Sequence, residues 1–136
     1  MRSVNRIIII AALATMIGGD LFAQDDAARA LIGKWEGTVT GAAGTAPTRL
    51  EFSEKHGKLL WAWSWEASIG KGEAEGSVTK YTPPSIELNG RYTLHPNRMV
   101  RNSPVTMSLT VAGDQMQGTG ITAAVNQTFT LSVGKK

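Results

Sequence analysis

From residue 34 onward, the chain consists of short runs in which apolar and polar residues alternate, and this alternation constrains the fold more than any other feature. A period of two places apolar side chains on one face of a β-strand and polar side chains on the other. Gly, Pro and Asn, which favour turns, separate the runs. The pattern predicts an all-β domain in which each strand has one buried face.

Eight such runs are present, and all but one of the connections between them are short. Strands joined by short connections are usually antiparallel neighbours, so the pattern indicates an up-and-down meander, either closed into a barrel or stacked as two sheets. We predict an eight-stranded antiparallel up-and-down barrel with a short N-terminal helix. The predicted strands span residues 34–40, 48–53, 58–67, 73–82, 85–94, 104–112, 115–122 and 127–133.

The alternation also predicts which residues form the core. Leu109 follows Ser108, and Leu131 precedes Ser132, so burial of the two leucines requires exposure of the two serines. A register shifted by one residue would reverse this arrangement. The residues expected to be among the most buried are Trp35, Phe52, Trp63, Leu88, Leu109, Phe129 and Leu131.

Residues 1–23 have the composition of an export signal. Arg2 and Arg6 form a basic head, residues 7–17 are almost entirely apolar, and Ala23 is the small residue that a signal peptidase requires. The apolar run is too short to cross a bilayer as a helix, which needs about 20 residues. We therefore expect a cleaved export signal rather than a buried N-terminal helix.

Cleavage after Ala23 leaves residues 24–136 as a single barrel domain. We expect this domain in the bacterial periplasm or outside the cell, without stable insertion into a membrane. Asp25 and Asp26 precede good helix formers up to Ile32, which predicts a short helix over one end of the barrel.

Composition excludes several classes of protein. The chain has 136 residues, the size of one domain, and its content of 42% hydrophobic and 18% charged residues excludes a disordered or collagen-like protein. It contains no cysteine, which excludes a disulfide scaffold, a thiol nucleophile and a cysteine-based metal site. A formal net charge of +3 is too small to indicate a nucleic acid or an anionic membrane as partner.

The residue types that carry catalysis do not form a recognisable motif. His56 lies in a predicted turn and His95 at a strand end, and neither has the spacing of a metal site. Glu73 and Glu75 share one face of a strand and could act as acid and base, but a charged outer face explains them equally well. The Gly-rich loop at 41–45 has no lysine and no following helix to hold a phosphate. We predict no enzyme, no metal and no cofactor.

Three tryptophans occupy alternate positions of one predicted strand. Trp61, Trp63 and Trp65 therefore lie on one face, where each can bury about 150–250 Å². Three arrangements are open: the rings fill the core, they point inward and line a ligand cavity, or they form an exposed aromatic platform. An inward arrangement requires small residues on the neighbouring strand, and that strand alternates Ala74, Gly76 and Val78.

The segment Gly33, Lys34 and Trp35, at the start of the first predicted strand, resembles the Gly-x-Trp opening motif of the lipocalins. The resemblance implies an eight-stranded barrel in which Trp35 plugs the closed end, beneath a cavity for a small, largely apolar ligand. The arginine that covers this tryptophan from the last strand in lipocalins has no counterpart here, where only Lys135 and Lys136 lie near.

The predicted function is the binding of a small, largely apolar molecule inside the barrel, as the lipocalin resemblance implies. The Trp strand forms one wall in this interpretation, Tyr92 and Met107 face it, and a basic loop at the rim pairs with a carboxylate head group. The predicted ligand-binding residues are Trp61, Trp63, Trp65, Tyr92, Met107, Arg98 and Arg101. The alternative is a solidly packed structural or protein-interaction barrel without a ligand. The interior volume distinguishes the two, since ligand sites usually enclose roughly 300–1,000 Å³.

Overall fold

The computed structural model describes residues 26–136, which form a closed antiparallel barrel of eight strands. Each strand pairs with the next along the chain, and β1 pairs with β8 to close the sheet. This confirms the predicted barrel, whereas the predicted export signal at 1–23 lies outside the described residues. The strands are β1 (Gly33–Gly41), β2 (Gly44–Lys55), β3 (Lys58–Ala67), β4 (Gly70–Thr82), β5 (Ser85–Leu94), β6 (Pro104–Ala112), β7 (Gln115–Thr122) and β8 (Gln127–Lys135).

The structure does not support a short N-terminal helix as an element of the fold. Within the described residues, the chain before β1 has only a four-residue helical turn, Asp26–Arg29. The predicted start of the helix at Asp25 lies outside the described residues. Ala28 and Leu31 nevertheless belong to the core, since each is only 1% exposed. The turn and the residues between it and β1 therefore pack against the barrel.

Two strands, β2 and β4, begin several residues earlier than the sequence pattern predicts. The β1–β2 hairpin pairs Gly41 with Gly44, and the β3–β4 hairpin pairs Ala67 with Gly70. Gly44 has a φ of 106° and Gly70 a φ of 136°, a backbone conformation that favours glycine. Because these glycines allow the chain to turn tightly, strand pairing continues through segments that we predicted as loops.

The predicted core and register are confirmed. All seven residues expected in the core are buried, from Leu88 at 0% exposed to Phe129 at 8%. Ser108 and Ser132 are exposed, as the register requires. The interior of the barrel is therefore the apolar face of each strand, and the Ser- and Thr-rich face is outside.

The Trp strand points into the barrel. Trp61 and Trp63 are each 2% exposed, and Trp65 is half-buried. The exposed aromatic platform is therefore wrong. In the register between β3 and β4, each indole lies opposite a small residue: Trp61 opposite Gly76, Trp63 opposite Ala74 and Trp65 opposite Gly72.

Gly72 is required by the size of the Trp65 ring, since a Cβ added there would lie 2.2 Å from Cε2 of the indole. A Cβ added at Gly90 would lie 2.0 Å from the carbonyl oxygen of Glu75 and 2.7 Å from Cζ2 of Trp61, so the neighbouring backbone and the indole both require glycine there. All three distances are shorter than a van der Waals contact. The pairing of large with small residues is thus what lets three tryptophans fit one barrel.

The two ends of the barrel differ. Trp35 lies near the lower end, where both chain segments flanking the barrel meet it, and its indole N–H donates to the carbonyl oxygen of Leu31 at 2.9 Å. The Nζ of Lys135 lies over the Trp35 ring, 5.9 Å from its centroid. In an up-and-down barrel alternate connections lie at the same end, so the connections β1–β2, β3–β4, β5–β6 and β7–β8 surround the upper end, here termed the mouth.

No helix among the described residues is long and apolar enough to cross a membrane.

Candidate functional site

A cavity of about 120 Å³ lies inside the mouth. The rings of Trp63, Trp65, Tyr92, His95 and Phe129 contribute to its lining. Small residues from the β1–β2 hairpin and the inward side chain of Ala46 complete one side. The cavity is therefore lined by five aromatic rings together with small and aliphatic residues, and it is bounded by three of the four connections at the mouth.

The base of the cavity is a pair of stacked rings, here termed the aromatic floor. Trp63 and Phe129 have ring centroids 4.9 Å apart and an angle of 19° between their planes. Phe129 lies against Gly120, where an added Cβ would approach Cζ of the phenyl ring to 2.2 Å. The floor separates the cavity from the filled lower part of the barrel.

A buried threonine holds the Trp63 ring in place. The Nε1–H of Trp63 donates to Oγ1 of Thr48 at 2.6 Å, and this hydroxyl donates to the carbonyl oxygen of Ser64 at 2.6 Å. Thr48 is 7% exposed, and its hydrogen bond with Trp63 is buried, whereas its hydrogen bond to Ser64 is partly buried. The indole orientation is fixed by hydrogen bonds as well as by packing.

Two buried hydroxyl groups face each other in the cavity wall. Tyr92 and Thr122 are 2% and 6% exposed, and their hydroxyl oxygens lie 2.8 Å apart. Burial raises the pKa of Tyr92 above its ordinary value, and the hydrogen bond to Thr122 offsets part of this effect. The phenol is therefore neutral throughout the physiological range.

His95 packs edge-on against two rings of the cavity. Its ring centroid lies 5.4 Å from that of Trp65 and 5.0 Å from that of Tyr92. Its Nδ1 accepts the backbone N–H of Asn97 at 2.9 Å, which leaves the proton of the neutral ring on Nε2. Burial, and then the positive charge of Arg101, lower the pKa of His95 below its ordinary value. The lowered pKa favours the neutral ring, in which Nε2–H is the remaining donor.

The structure distributes the predicted site residues over three places. Trp63, Trp65 and Tyr92 line the cavity. Trp61 and Met107 are each 2% exposed and belong to the core outside the cavity lining. The indole N–H of Trp61 donates to the carbonyl oxygen of Ser77 at 3.0 Å.

The two predicted arginines lie in the β5–β6 connection and do not line the cavity. Arg98 is exposed. Arg101 is also exposed, and its Nε donates to the carbonyl oxygen of His95 at 3.0 Å. Arg101 therefore holds the loop residue that borders the cavity, and its charge acts on the His95 ring.

The lining residues that were not predicted as site residues include His95, Thr122 and Phe129. Thr122 carries a signal that could have revealed it, since it follows Met116 at even spacing and so is a polar residue at an inward position. Thr48 shows the same signal ahead of Leu50. A polar residue on the apolar face of a strand needs a buried partner, which marks a site of interest.

The glutamate pair that was considered as an acid and a base lies apart from the cavity. Glu73 and Glu75 are exposed on the outer face of β4. Within the described residues, no three His, Asp or Glu side chains lie close enough together to hold a metal ion. The cavity lining contains no carboxylate.

Two larger depressions lie on the outer surface of the barrel. One of about 390 Å³ runs over β1 to β4 between charged side chains that include Glu36, Arg49 and Lys71. The other, of about 530 Å³, lies on the Thr-rich face formed by β6, β7, β8 and β1. Outward-facing side chains form much of both, so the cavity at the mouth is the site that the barrel itself encloses.

Compared with known proteins, the chain matches no protein-family model, no curated protein and no solved structure. The resemblance to lipocalins through Gly33, Lys34 and Trp35 therefore stays a prediction.

Proposed function

We propose that this protein is an exported binding protein that holds a small aromatic, or otherwise flat and apolar, group at the mouth of its barrel. The observation that carries the proposal is the cavity of about 120 Å³ above the aromatic floor of Trp63 and Phe129. Trp65 and Tyr92 add two further rings to its walls. Offset-stacked and edge-to-face contacts between aromatic rings are energetically favourable, so a flat aromatic ligand would bind well against these walls.

The volume limits the size of the ligand. An apolar cavity of about 150 Å³ is large enough for benzene, whereas complete enclosure of a drug-sized molecule needs roughly 300–1,000 Å³. The mouth cavity, at about 120 Å³, is smaller than both. It therefore suits a single ring that is partly exposed at the mouth, or one end of a longer molecule whose remainder extends into solvent between the connections of the mouth. A lipid chain with only its end enclosed also satisfies this limit.

Two features of the sequence agree with this proposal without testing it. The composition of residues 1–23 is typical of an export signal, which suits a protein that binds molecules in the periplasm or outside the cell. The Gly-x-Trp resemblance to lipocalins implies a barrel plugged at the Trp35 end and open at the other. The contacts of Trp35 with Leu31 and Lys135 are consistent with a closed lower end.

The second candidate is a structural or protein-interaction barrel that holds no ligand. The filled core favours it, since Leu50, Leu88 and Val105 are each 0% exposed. The cavity is also smaller than a typical ligand site. In this case the 120 Å³ space would hold only water.

A substitution that fills the cavity distinguishes the two candidates. Ala46 is 5% exposed and lines the cavity, so Ala46→Leu places a branched side chain inside it. Ala62 lies on the exposed outer face of β3, and Ala62→Leu makes the same change away from the cavity. The probes are toluene and styrene, titrated by isothermal calorimetry.

We expect saturable binding at one site in the wild type and in Ala62→Leu, and loss of binding in Ala46→Leu. Native mass spectrometry of the protein purified from its export compartment would detect a natural ligand that stays bound through purification. Absence of saturable binding by both probes in the wild type, with no retained ligand, would favour the barrel without a ligand.

A further inference from the structure

The hydroxyl pair of Tyr92 and Thr122 has two O–H donors, but the hydrogen bond between them requires only one. Two hydroxyl groups carry two O–H hydrogens, but the contact at 2.8 Å between their oxygens uses only one. In the part of the chain that the structure describes, neither hydroxyl makes a second side-chain hydrogen bond. One buried O–H is therefore left to donate to whatever occupies the cavity.

Burial makes this surplus donor informative. Tyr92 is 2% exposed and Thr122 is 6% exposed, and both residues line the cavity at the mouth. Buried polar groups in native proteins are nearly always hydrogen-bonded, to protein or to an ordered molecule. An occupant that offers an acceptor atom completes the pair, whereas a purely apolar occupant leaves the O–H without an acceptor.

The surroundings of the pair also favour an acceptor. The cavity lining contains no carboxylate that would compete for the hydrogen. His95, on the same cavity, has its Nδ1 occupied by Asn97 and so offers a donor rather than an acceptor. Arg101 contacts the carbonyl oxygen of His95 and makes the local potential more positive. All three features favour an oxygen that carries partial or full negative charge.

We propose that the mouth cavity recognises a single aromatic ring that bears an acceptor oxygen, with the ring on the aromatic floor and the oxygen bonded by the Tyr92–Thr122 hydroxyl pair. This inference rests on the proposed function, since it names the ligand chemistry of the same cavity. The acceptor is a carbonyl or a carboxylate oxygen, and the two share the same hydrogen-bond geometry at the pair.

The test compares benzaldehyde with styrene, which has the same shape but carries a CH₂ group in place of the carbonyl oxygen. Benzoate is a third probe and distinguishes a charged acceptor from a neutral one. The double variant Tyr92→Phe/Thr122→Val removes both hydroxyls and preserves the shapes of both side chains. Thr128→Val is the matched control, since Thr128 lines the cavity but is exposed and does not belong to the pair. All variants keep every lysine, so the reversible reaction of benzaldehyde with amines is the same in the wild type and in each variant.

Isothermal calorimetry gives the affinities, and circular dichroism establishes that each variant is folded. We expect the double variant to bind benzaldehyde, benzoate or both less tightly than the wild type by a few-fold to about tenfold, as one lost hydrogen bond predicts. Its affinity for styrene should be unchanged, and Thr128→Val should match the wild type for all three probes.

The outcomes separate this inference from the proposed function. Binding of styrene and of the oxygen-bearing probes with no selective loss in the double variant overturns acceptor recognition and leaves aromatic binding intact. Failure of all three probes to bind the wild type overturns both. A loss confined to benzaldehyde identifies a neutral acceptor, and a loss confined to benzoate identifies a charged one.

Discussion

The indole ring of Trp63 and the phenyl ring of Phe129 stack across the barrel with centroids 4.9 Å apart and planes inclined by 19°. The two residues belong to β3 and β8, which are not neighbours in the sheet, so the contact crosses the interior. It divides the barrel into a filled lower part and the cavity at the mouth. The predictions below concern the residues that hold this arrangement in place.

Thr48 is expected to stabilise the fold through its hydroxyl group. Thr48→Val removes the acceptor of the Trp63 N–H and the donor to the carbonyl oxygen of Ser64. Leaving buried polar groups unpaired should lower the free energy of unfolding by about 1–3 kcal/mol. Urea denaturation measures the loss. Thr48→Ser keeps the hydroxyl and should retain most of the stability, so equal losses in the two variants would contradict the hydrogen-bond explanation.

Gly120→Ala is expected to be destabilising because its Cβ would lie 2.2 Å from Cζ of Phe129. Displacing the ring should lower the free energy of unfolding by about 1–3 kcal/mol, as overpacking of a core does. Gly41→Ala is the control, since its Cβ would meet the same phenylalanine at an ordinary 3.6 Å. Thermal unfolding should therefore show a lower midpoint for Gly120→Ala and little change for Gly41→Ala. A midpoint of Gly120→Ala equal to that of the control would mean that Phe129 moves freely.

Lys135 is expected to contribute more to stability than its neighbour Lys136. The Nζ of Lys135 lies over the Trp35 ring and donates to the carbonyl oxygen of Ala30. Lys136 makes a surface ion pair with Glu36 at 3.7 Å, which contributes about 0–1 kcal/mol. Lys135→Met should cost about 1 kcal/mol, because it removes a cation–π contact and a hydrogen bond. Urea denaturation of the two methionine variants compares them directly, and a larger loss in Lys136→Met would reverse this ranking.

Tyr92 makes stability depend on pH in the alkaline range. Its folded-state pKa is raised above 10.0, chiefly by burial. Above pH 10.0 the unfolded chain therefore releases the phenolic proton while the folded protein still holds it, so the free energy of unfolding falls as pH rises. Below that value this contribution is fully present. Ultraviolet absorbance of the phenolate should show Tyr92 ionising above pH 10.0 in the wild type, and Tyr92→Phe should lack that step. A missing step at pH 10.0 or below would show that Tyr92 is accessible to water.

The fold could be predicted from the sequence because its signals are local. Alternation in segments such as 104–112 and 127–133 sets the inward face of each strand, and short connections set the order of strands. The strand ends were less predictable. Gly44 and Gly70 have the composition of loops, but their positive φ allows two-residue turns that extend the pairing.

The candidate site could be predicted only in part, because alternation shows which residues face inward but not their height along the barrel. Trp61 and Trp63 are equivalent in the sequence pattern, yet only Trp63 lines the cavity. Contacts across the interior join residues far apart in the chain, as Phe129 and Trp63 are, and depend on the stagger of all eight strands. His95 reaches the cavity through the conformation of the β5–β6 connection, which the sequence pattern does not determine.

Closure of the barrel by β1 and β8 also determines the direction in which the cavity faces when the protein is tethered or fused to another domain. Trp35 pairs with Lys135, so the chain enters and leaves the barrel side by side at the lower end. The four connections that surround the mouth lie at the opposite end. A tag, surface tether or fused domain attached after β8 would therefore hold the protein with its cavity directed away from the attachment point.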